Sequence, residues 1–220
     1  LREGQLGDFD AVLSNDERDR AARFHFEKDR NRFRVARTSL RTILGRYLRL
    51  PPAALEFSQT EYGKPFLKNS SAKDLRFNLS HSRDVALIAV TRGQDVGVDV
   101  EYMRPDFATK EVAKHFFSPR ERDDLSNVPG ELQTGAFYNC WTRKEAYIKA
   151  RGEGVSLQLD SFDVSLAPDC PAALLDSRLH PDDVARWKLA ELFPATDYAA
   201  ALAVARDTSQ IRLWQFTLAE

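Results

Sequence analysis

The chain has 220 residues, 43% hydrophobic and 30% charged, the balance of a folded globular protein, which excludes a disordered one. Its 32 Lys and Arg against 33 Asp and Glu leave a net charge of -1, which excludes a general nucleic-acid coat, because phosphate binding draws on a basic surplus. No apolar run reaches the roughly 18 residues of a membrane helix, and at about 150 residues per domain the length allows one domain or two small halves.

Ser14-Asn15-Asp16-Glu17 has the form of a capping box and predicts a helix start. A second helix is read through Phe33, Leu40, Ile43, Leu44, Tyr47 and Leu48, apolar at i, i+3, i+4 and i+7, and stopped by Pro51-Pro52. Its flanks are rich in arginine. Gly63-Lys64-Pro65 predicts a turn between short extended pieces. Phe77 and Leu79 alternate with polar neighbours, and Val85–Val90 and Val96–Val100 predict a hairpin across Arg92-Gly93-Gln94. Lys110–Phe117 is a candidate helix. Ser118-Pro119-Arg120-Glu121 is a strong helix start, with Ser as cap, Pro at N1 and Glu at N3. A longer helix is expected from Glu131 to Ala150, stopping near Gly152. Strands are expected at Ser161–Leu166, Trp187–Leu192, Tyr198–Ala205 and Ile211–Phe216. Asp84–Arg92 is echoed weakly by Asp197–Arg206, which fits either two related halves or simply two apolar hairpin strands of similar composition.

The 4 His are scattered, and Cys140 and Cys170 form no CxxC, so a structural zinc site is excluded and both thiols are read as reduced. With no charged-then-apolar leader and no membrane span in view, a cytoplasmic location is expected.

Four constellations carry chemistry. In Val96-Gly97-Val98-Asp99-Val100-Glu101, strand alternation puts the valines on one face and both acids on the other. Two carboxylates that close call for a compensating charge, and a divalent cation is the simplest; the alternative is a solvated face. In Trp141-Thr142-Arg143-Lys144-Glu145-Ala146-Tyr147-Ile148-Lys149, helical spacing aligns Trp141, Glu145 and Lys149. That suits a metal ligand beside a phosphate-binding cation, or an ordinary surface ion pair. Phe77-Asn78-Leu79-Ser80-His81-Ser82 ends a strand in groups able to hold phosphate oxygens, or caps a helix at Ser80 or Ser82. Gly63-Lys64-Pro65 is a stiff turn with one cation.

The order and spacing of these four motifs resemble the 4'-phosphopantetheinyl transferases, specifically the larger pseudodimeric Sfp-like group. Lys114-His115-Phe116-Phe117-Ser118 also looks like the family's segment ahead of the Trp-x-x-Lys-Glu helix. The resemblance implies an α+β fold, a pseudodimer of two similar α+β halves, each an antiparallel sheet packed with helices. The halves are expected at 1–104, with the turn, the Ser-His motif and the acid pair, and at 105–220, with the long helix, working together as a monomer.

It further implies transfer of 4'-phosphopantetheine from coenzyme A to a serine of an apo acyl or peptidyl carrier protein, with magnesium (manganese being the alternative) and release of 3',5'-ADP. By similarity Asp99, Glu101 and Glu145 are metal ligands, and Asp99, Glu145 and Lys149 carry catalysis. Glu145 is preferred as the base. Coenzyme A would be met by Gly63, Lys64 and Pro65 near the adenine, Lys149 at the diphosphate, Ser80 and His81 at phosphate, and Lys144 of the Lys-Glu dipeptide. Arg32 falls where the family has an arginine for the 3'-phosphate, with Arg30 and Arg34 as rival registers. Basic positions nearer the amino end lack clean counterparts, since Glu17 stands in one, with Arg20 as substitute. Carrier docking is expected on Lys110–Phe117 or on the helix from Glu131 to Trp141. The rivals are a metal-dependent nuclease, which would place a lysine where Met103 stands, and a non-catalytic coenzyme A or carrier-protein binding module, which needs no trio of acids. Neither nucleic acid nor membrane is expected as a partner.

Overall fold

The computed structural model describes residues 9–69, 72–208 and 210–218; the outer ends of the two expected halves, 1–8 and 219–220, lie outside the described residues. Helix α1 (Asn15–Ala22) opens on the predicted capping box: the Ser14 hydroxyl accepts from Glu17 N, and Glu17 Oε2 accepts from Ser14 N at 3.0 Å. Helix α2 (Glu27–Leu48) buries Phe33, Ala36, Leu40 and Leu44 along one stripe and ends at Arg49 in the left-handed region, ahead of Pro51. Glu17 also pairs with Arg37 and Arg41 of α2, each at 2.6 Å, so the box residue clamps the two helices together. Strands β1 (Phe57–Gln59) and β2 (Pro65–Leu67) flank the predicted turn.

Strands β3 (Leu75–Ser82) and β4 (Val85–Arg92) form an antiparallel hairpin across Arg83-Asp84. Strand β5 (Val96–Tyr102) follows. After it come α3 (Lys110–Phe116), α4 (Pro119–Asn127, capped by Ser118 with Glu121) and α5 (Gln133–Arg151, closed by Gly152 at φ 77°). Strands β6 (Phe162–Val164) and β7 (Leu174–Ser177) pair, α6 (Asp183–Arg186) leads into β8 (Trp187–Leu192), and β9 is Tyr198–Ala205. Every ladder is antiparallel, and helices pack on the sheets, so the architecture is α+β.

Two expectations are corrected. The predicted hairpin of Val85–Val90 with Val96–Val100 does not form: β4 pairs with β3, and β5 pairs with β9 in the sheet β5-β9-β8. Burial explains the choice. Val96, Val98 and Val100 pack with Leu202 and Val204, and β4 covers that face with Val85, Leu87 and Ala89 rather than extending the strand ladder. The expected strand at Ile211–Phe216 has no regular structure. Ile211, Leu213 and Trp214 are exposed, and among the described residues no strand pairs with the segment. Ser161–Leu166 contributes only the shorter β6.

The sheet's other face receives α5. Ala199, Ala201 and Ala203 of β9 are small enough to admit the helix closely, and Ala146, Tyr147 and Ala150 pack there. Gly97 marks the closest approach: a Cβ there would lie 2.0 Å from Ala146 O and 2.3 Å from Ala150 N. The same face of β5 carries Asp99 and Glu101.

Candidate active site

Along α5, Trp141, Glu145 and Lys149 are half-buried positions among fully buried neighbours, so the predicted i, i+4 face is the one left accessible beside β5. Lys149 Nζ lies 2.5 Å from Asp99 Oδ1 and 3.1 Å from Ser80 Oγ. Asp99 is only 2% exposed, and its Oδ2 is buried with no hydrogen-bond partner. Burial and the negative charge of Asp99 push the Glu101 carboxyl above the usual carboxylate range, as they do Glu145; the Lys149 charge acts against this in both. Lys149 is therefore the cation common to all three acids.

An orphaned carboxylate oxygen beside two acids of raised pKa is a donor set that a hard divalent cation satisfies, so these residues fit such an ion. Among the described residues, no three His, Cys, Asp or Glu side chains form a closed metal cluster. Lys149 supplies the positive charge at Asp99.

Ser80 and His81 come from β3 on opposite faces. Ser80 is buried and donates to Asp99 Oδ1 at 2.8 Å. His81 is exposed on the α1–α2 side. The packing around it, then the charges of Lys149, Arg32 and Arg20, hold its imidazole below the ordinary histidine range. The charges of Lys149, Arg32 and Arg20 together make an electropositive setting at the imidazole, suited to an anion. Of the rival arginine registers, the charge of Arg32 reaches His81, and Arg30 donates to Phe24 O. Arg32 is itself held by Asp84 at 2.8 Å and by Asp29 at 3.3 Å. Arg20 also lines a surface depression of about 600 Å³ with Asp16, Asp19, Arg23 and Phe24.

Two predicted binding residues have structural duties. Lys64, from the turn in which Gly63 takes φ 83° and Pro65 begins β2, donates from Nζ to Ala150 O at 2.8 Å, satisfying one of the carbonyls orphaned at the end of α5. Lys144 is corrected out of the coenzyme-binding set. Its ammonium is fully buried, donates to Leu159 O and Phe162 O at 2.7 Å each, and pairs with Glu121 at 2.8 Å. All three donors are thereby used. Neighbouring residues on a helix diverge by about 100°, which turns Lys144 inward while Glu145 faces β5.

Sequence reasoning missed the roles of Asn78 and Ser82. Neither Ser80 nor Ser82 caps a helix; both lie within β3. Asn78 Oδ1, Ser80 Oγ and Ser82 Oγ accept from the backbone N–H of Val98, Val100 and Tyr102 at 2.9, 3.4 and 3.1 Å. The signal was the alternation of polar residues at 78, 80 and 82, which puts all three on one face.

Comparison with known proteins gives consistent matches. A family model described as the 4'-phosphopantetheinyl transferase superfamily matches residues 95–203, and one described as 4'-phosphopantetheinyl transferase, N-terminal, matches residues 4–93. The chain is 41% identical over 215 residues to 4'-phosphopantetheinyl transferase HetI of a Nostoc species, covering 97% of this chain and 87% of that one. It is 36% identical over 161 residues to 4'-phosphopantetheinyl transferase Sfp of Bacillus subtilis, covering 73% and 70%. A solved holo-(acyl-carrier-protein) synthase of Bacillus anthracis, in complex with CoA (3',5'-ADP), aligns with 50% of this chain and 94% of its own at a TM-score of 0.42 and 19% identity.

Proposed function

The chain belongs to the 4'-phosphopantetheinyl transferase superfamily, in its Sfp-like group, and we propose that it moves the 4'-phosphopantetheine group of coenzyme A onto a serine of an apo acyl or peptidyl carrier protein, releasing 3',5'-ADP. The observation that carries this reading is the apposition of α5 to β5, which brings Glu145 and Lys149 to Asp99 and Glu101, with the Lys149 charge also reaching His81. The division into 1–104 and 105–220 is part of the reading: the site lies where β5 of one half meets α5 of the other, and a monomer holds it complete.

In the reaction the carrier serine Oγ forms a bond to phosphorus while the bond to the departing 3',5'-ADP oxygen breaks. Asp99, Glu101 and Glu145 would hold magnesium, with manganese as alternative, and the ion would supply neutralisation of the charge that develops on the diphosphate oxygens. Lys149 binds a diphosphate oxygen. His81, Arg32 and Arg20 hold the 3'-phosphate. Ser80 offers its hydroxyl to the Asp99–Lys149 pair and so fixes both. Glu145 receives the serine proton; its carboxyl makes no hydrogen bond among the described residues, which leaves an oxygen to accept it. Gly63, Lys64 and Pro65 support the nucleotide end, with Lys64 also tying that turn to α5.

The carrier docks beside this site. Phe107 and Phe116 are exposed and meet Trp141 edge-on at 5.5 and 5.3 Å. Exposed Lys110 and Lys114 of α3 flank them, and an apolar patch with basic edges complements an acidic carrier.

The test is the intact mass of an apo carrier incubated with the protein, coenzyme A and magnesium, with Asp99→Ala alongside. The expected outcome is a gain of one phosphopantetheine that disappears without metal and falls at least about a hundredfold in rate in the variant. Coenzyme A binding with no gain on any carrier would favour the binding-module reading.

A further inference from the structure

Strands β3 and β5 meet through side chains rather than through a backbone ladder. The β5 N–H groups of Val98, Val100 and Tyr102 are met in turn by Asn78, Ser80 and Ser82. A serine hydroxyl has one proton and two lone pairs. At each serine a lone pair is taken by the backbone amide, and the proton goes to a carboxylate: Ser80 Oγ to Asp99 Oδ1 and Ser82 Oγ to Glu101 Oε2, each at 2.8 Å. The third rung differs in kind. Asn78 meets Val98 N, and the residue in the place of an acid there is Gly97, which has no side chain to receive a proton. Serines stand where β5 carries acids, and an amide stands where it carries none.

The consequence is sharpest at Glu101. Its Oε2 is fixed by Ser82, whose own position is fixed by Tyr102 N, while Oε1 has no hydrogen bond or ion pair among the described residues. Glu101 sits at the open end of β5, half-buried, where a glutamate would otherwise sample several rotamers. One oxygen is held and the other is left without a hydrogen bond or ion pair among the described residues.

We propose that Ser82 is a positioning residue for the reaction: its hydroxyl orients the Glu101 carboxylate so that Oε1 is presented to the divalent cation. The inference rests on the reading of Glu101 as a metal ligand. Ser82 touches neither coenzyme A nor the carrier; it acts through Glu101, as outer-shell partners of metal-binding carboxylates do.

The test is Mn2+ titration of the free protein, read from the electron paramagnetic resonance signal of unbound Mn2+, for the parent, Ser82→Ala, Ser82→Thr and Glu101→Ala. Ser82→Ala is expected to raise the Mn2+ Kd about 10-fold to 100-fold. Ser82→Thr, which keeps the hydroxyl, should restore it. In the transfer assay Ser82→Ala should need a correspondingly higher magnesium concentration for half-maximal rate, with the KM for coenzyme A unchanged. A hydroxyl that only supported the strand would lower the unfolding temperature and leave the Kd of the folded protein alone. Should Ser82→Ala fail to fold, Ser82→Cys keeps the shape with a weak donor and should show a smaller rise. A parent-like Kd in Ser82→Ala or Ser82→Cys, with weakened binding in Glu101→Ala, overturns the inference about Ser82. Parent-like Mn2+ binding and transfer in Glu101→Ala overturns instead the reading of the acids as the metal site.

Discussion

His81 shows how a single residue inherits its chemistry from neighbours far away in sequence. Its packing and the fields of Lys149, Arg32 and Arg20 lower its pKa, so the imidazole is neutral at pH 7 in the free protein. In the folded chain the proton is lost at a lower pH than in the unfolded chain. Between those two values the unfolded chain binds more protons, so His81 makes stability rise with pH there and costs stability as pH falls below about 6.5. A doubly charged phosphate would reverse the local field and draw the proton back. Binding of 3',5'-ADP should therefore take up a proton and tighten as pH falls from 7.5 to 6, by up to about tenfold per unit. His81→Gln should flatten that dependence, and calorimetry in buffers of different ionisation heat would read the proton directly. Glu17 behaves oppositely. Burial alone would raise its pKa, but Arg37 and Arg41 outweigh that and lower it. Its stabilising contribution is present above pH 4.5 and is lost as pH falls through the lowered value.

Element by element, the site depends on how closely α5 can lie on the sheet. The alanines of β9 and Gly97 of β5 set that distance, and Gly97 leaves no room for a Cβ against Ala146 O and Ala150 N. Gly97→Ala must push the helix carrying Glu145 and Lys149 away from Asp99. The expected outcome is a loss of about 1–3 kcal/mol of stability and a much larger loss of transfer rate in the folded fraction, checked by urea unfolding and single-turnover kinetics. The inward face of α5 is governed by Lys144, paired with Glu121 in full burial. Lys144→Ala leaves Glu121 charged and unpaired, so about 3–5 kcal/mol of stability should be lost, with the KM for coenzyme A unchanged in what folds. A raised KM would return Lys144 to the binding set.

For the molecule as a whole, the crossing of β5 is decisive. The strand precedes the expected boundary at 104, yet it pairs along its length with β9, from Val96 opposite Val204 to Tyr102 opposite Tyr198, and packs under α5. Each half would leave part of its own core uncovered without the other. Chains 1–104 and 105–220 produced separately should each lack a cooperative unfolding transition, and mixing them should restore one, with transfer activity returning in step. Independent folding of either piece would contradict the joined architecture.

Local chemistry made much of this protein legible in its sequence. Capping boxes at Ser14 and Ser118, the apolar stripe of α2, the glycine stop of α5 and the limits of β8 and β9 depend on neighbours within a few residues, and they stand where the sequence predicts them. The shared face of Glu145 and Lys149, and the common side of Asp99 and Glu101, follow from helical and strand periods alone. Tertiary structure decided the rest. The β4 and β5 segments each carry apolar residues that suit a hairpin, and only the competing partners β3 and β9, distant in sequence, determine which edge is buried where. Whether Lys144 or Lys149 faces the acids, whether Lys64 caps α5, and whether Ser82 aims Glu101 depend on contacts between residues 19 to 86 positions apart or on which helix face is covered. Sequence periodicity fixes the directions of side chains relative to their own element; the packing of one element on another fixes what those side chains meet.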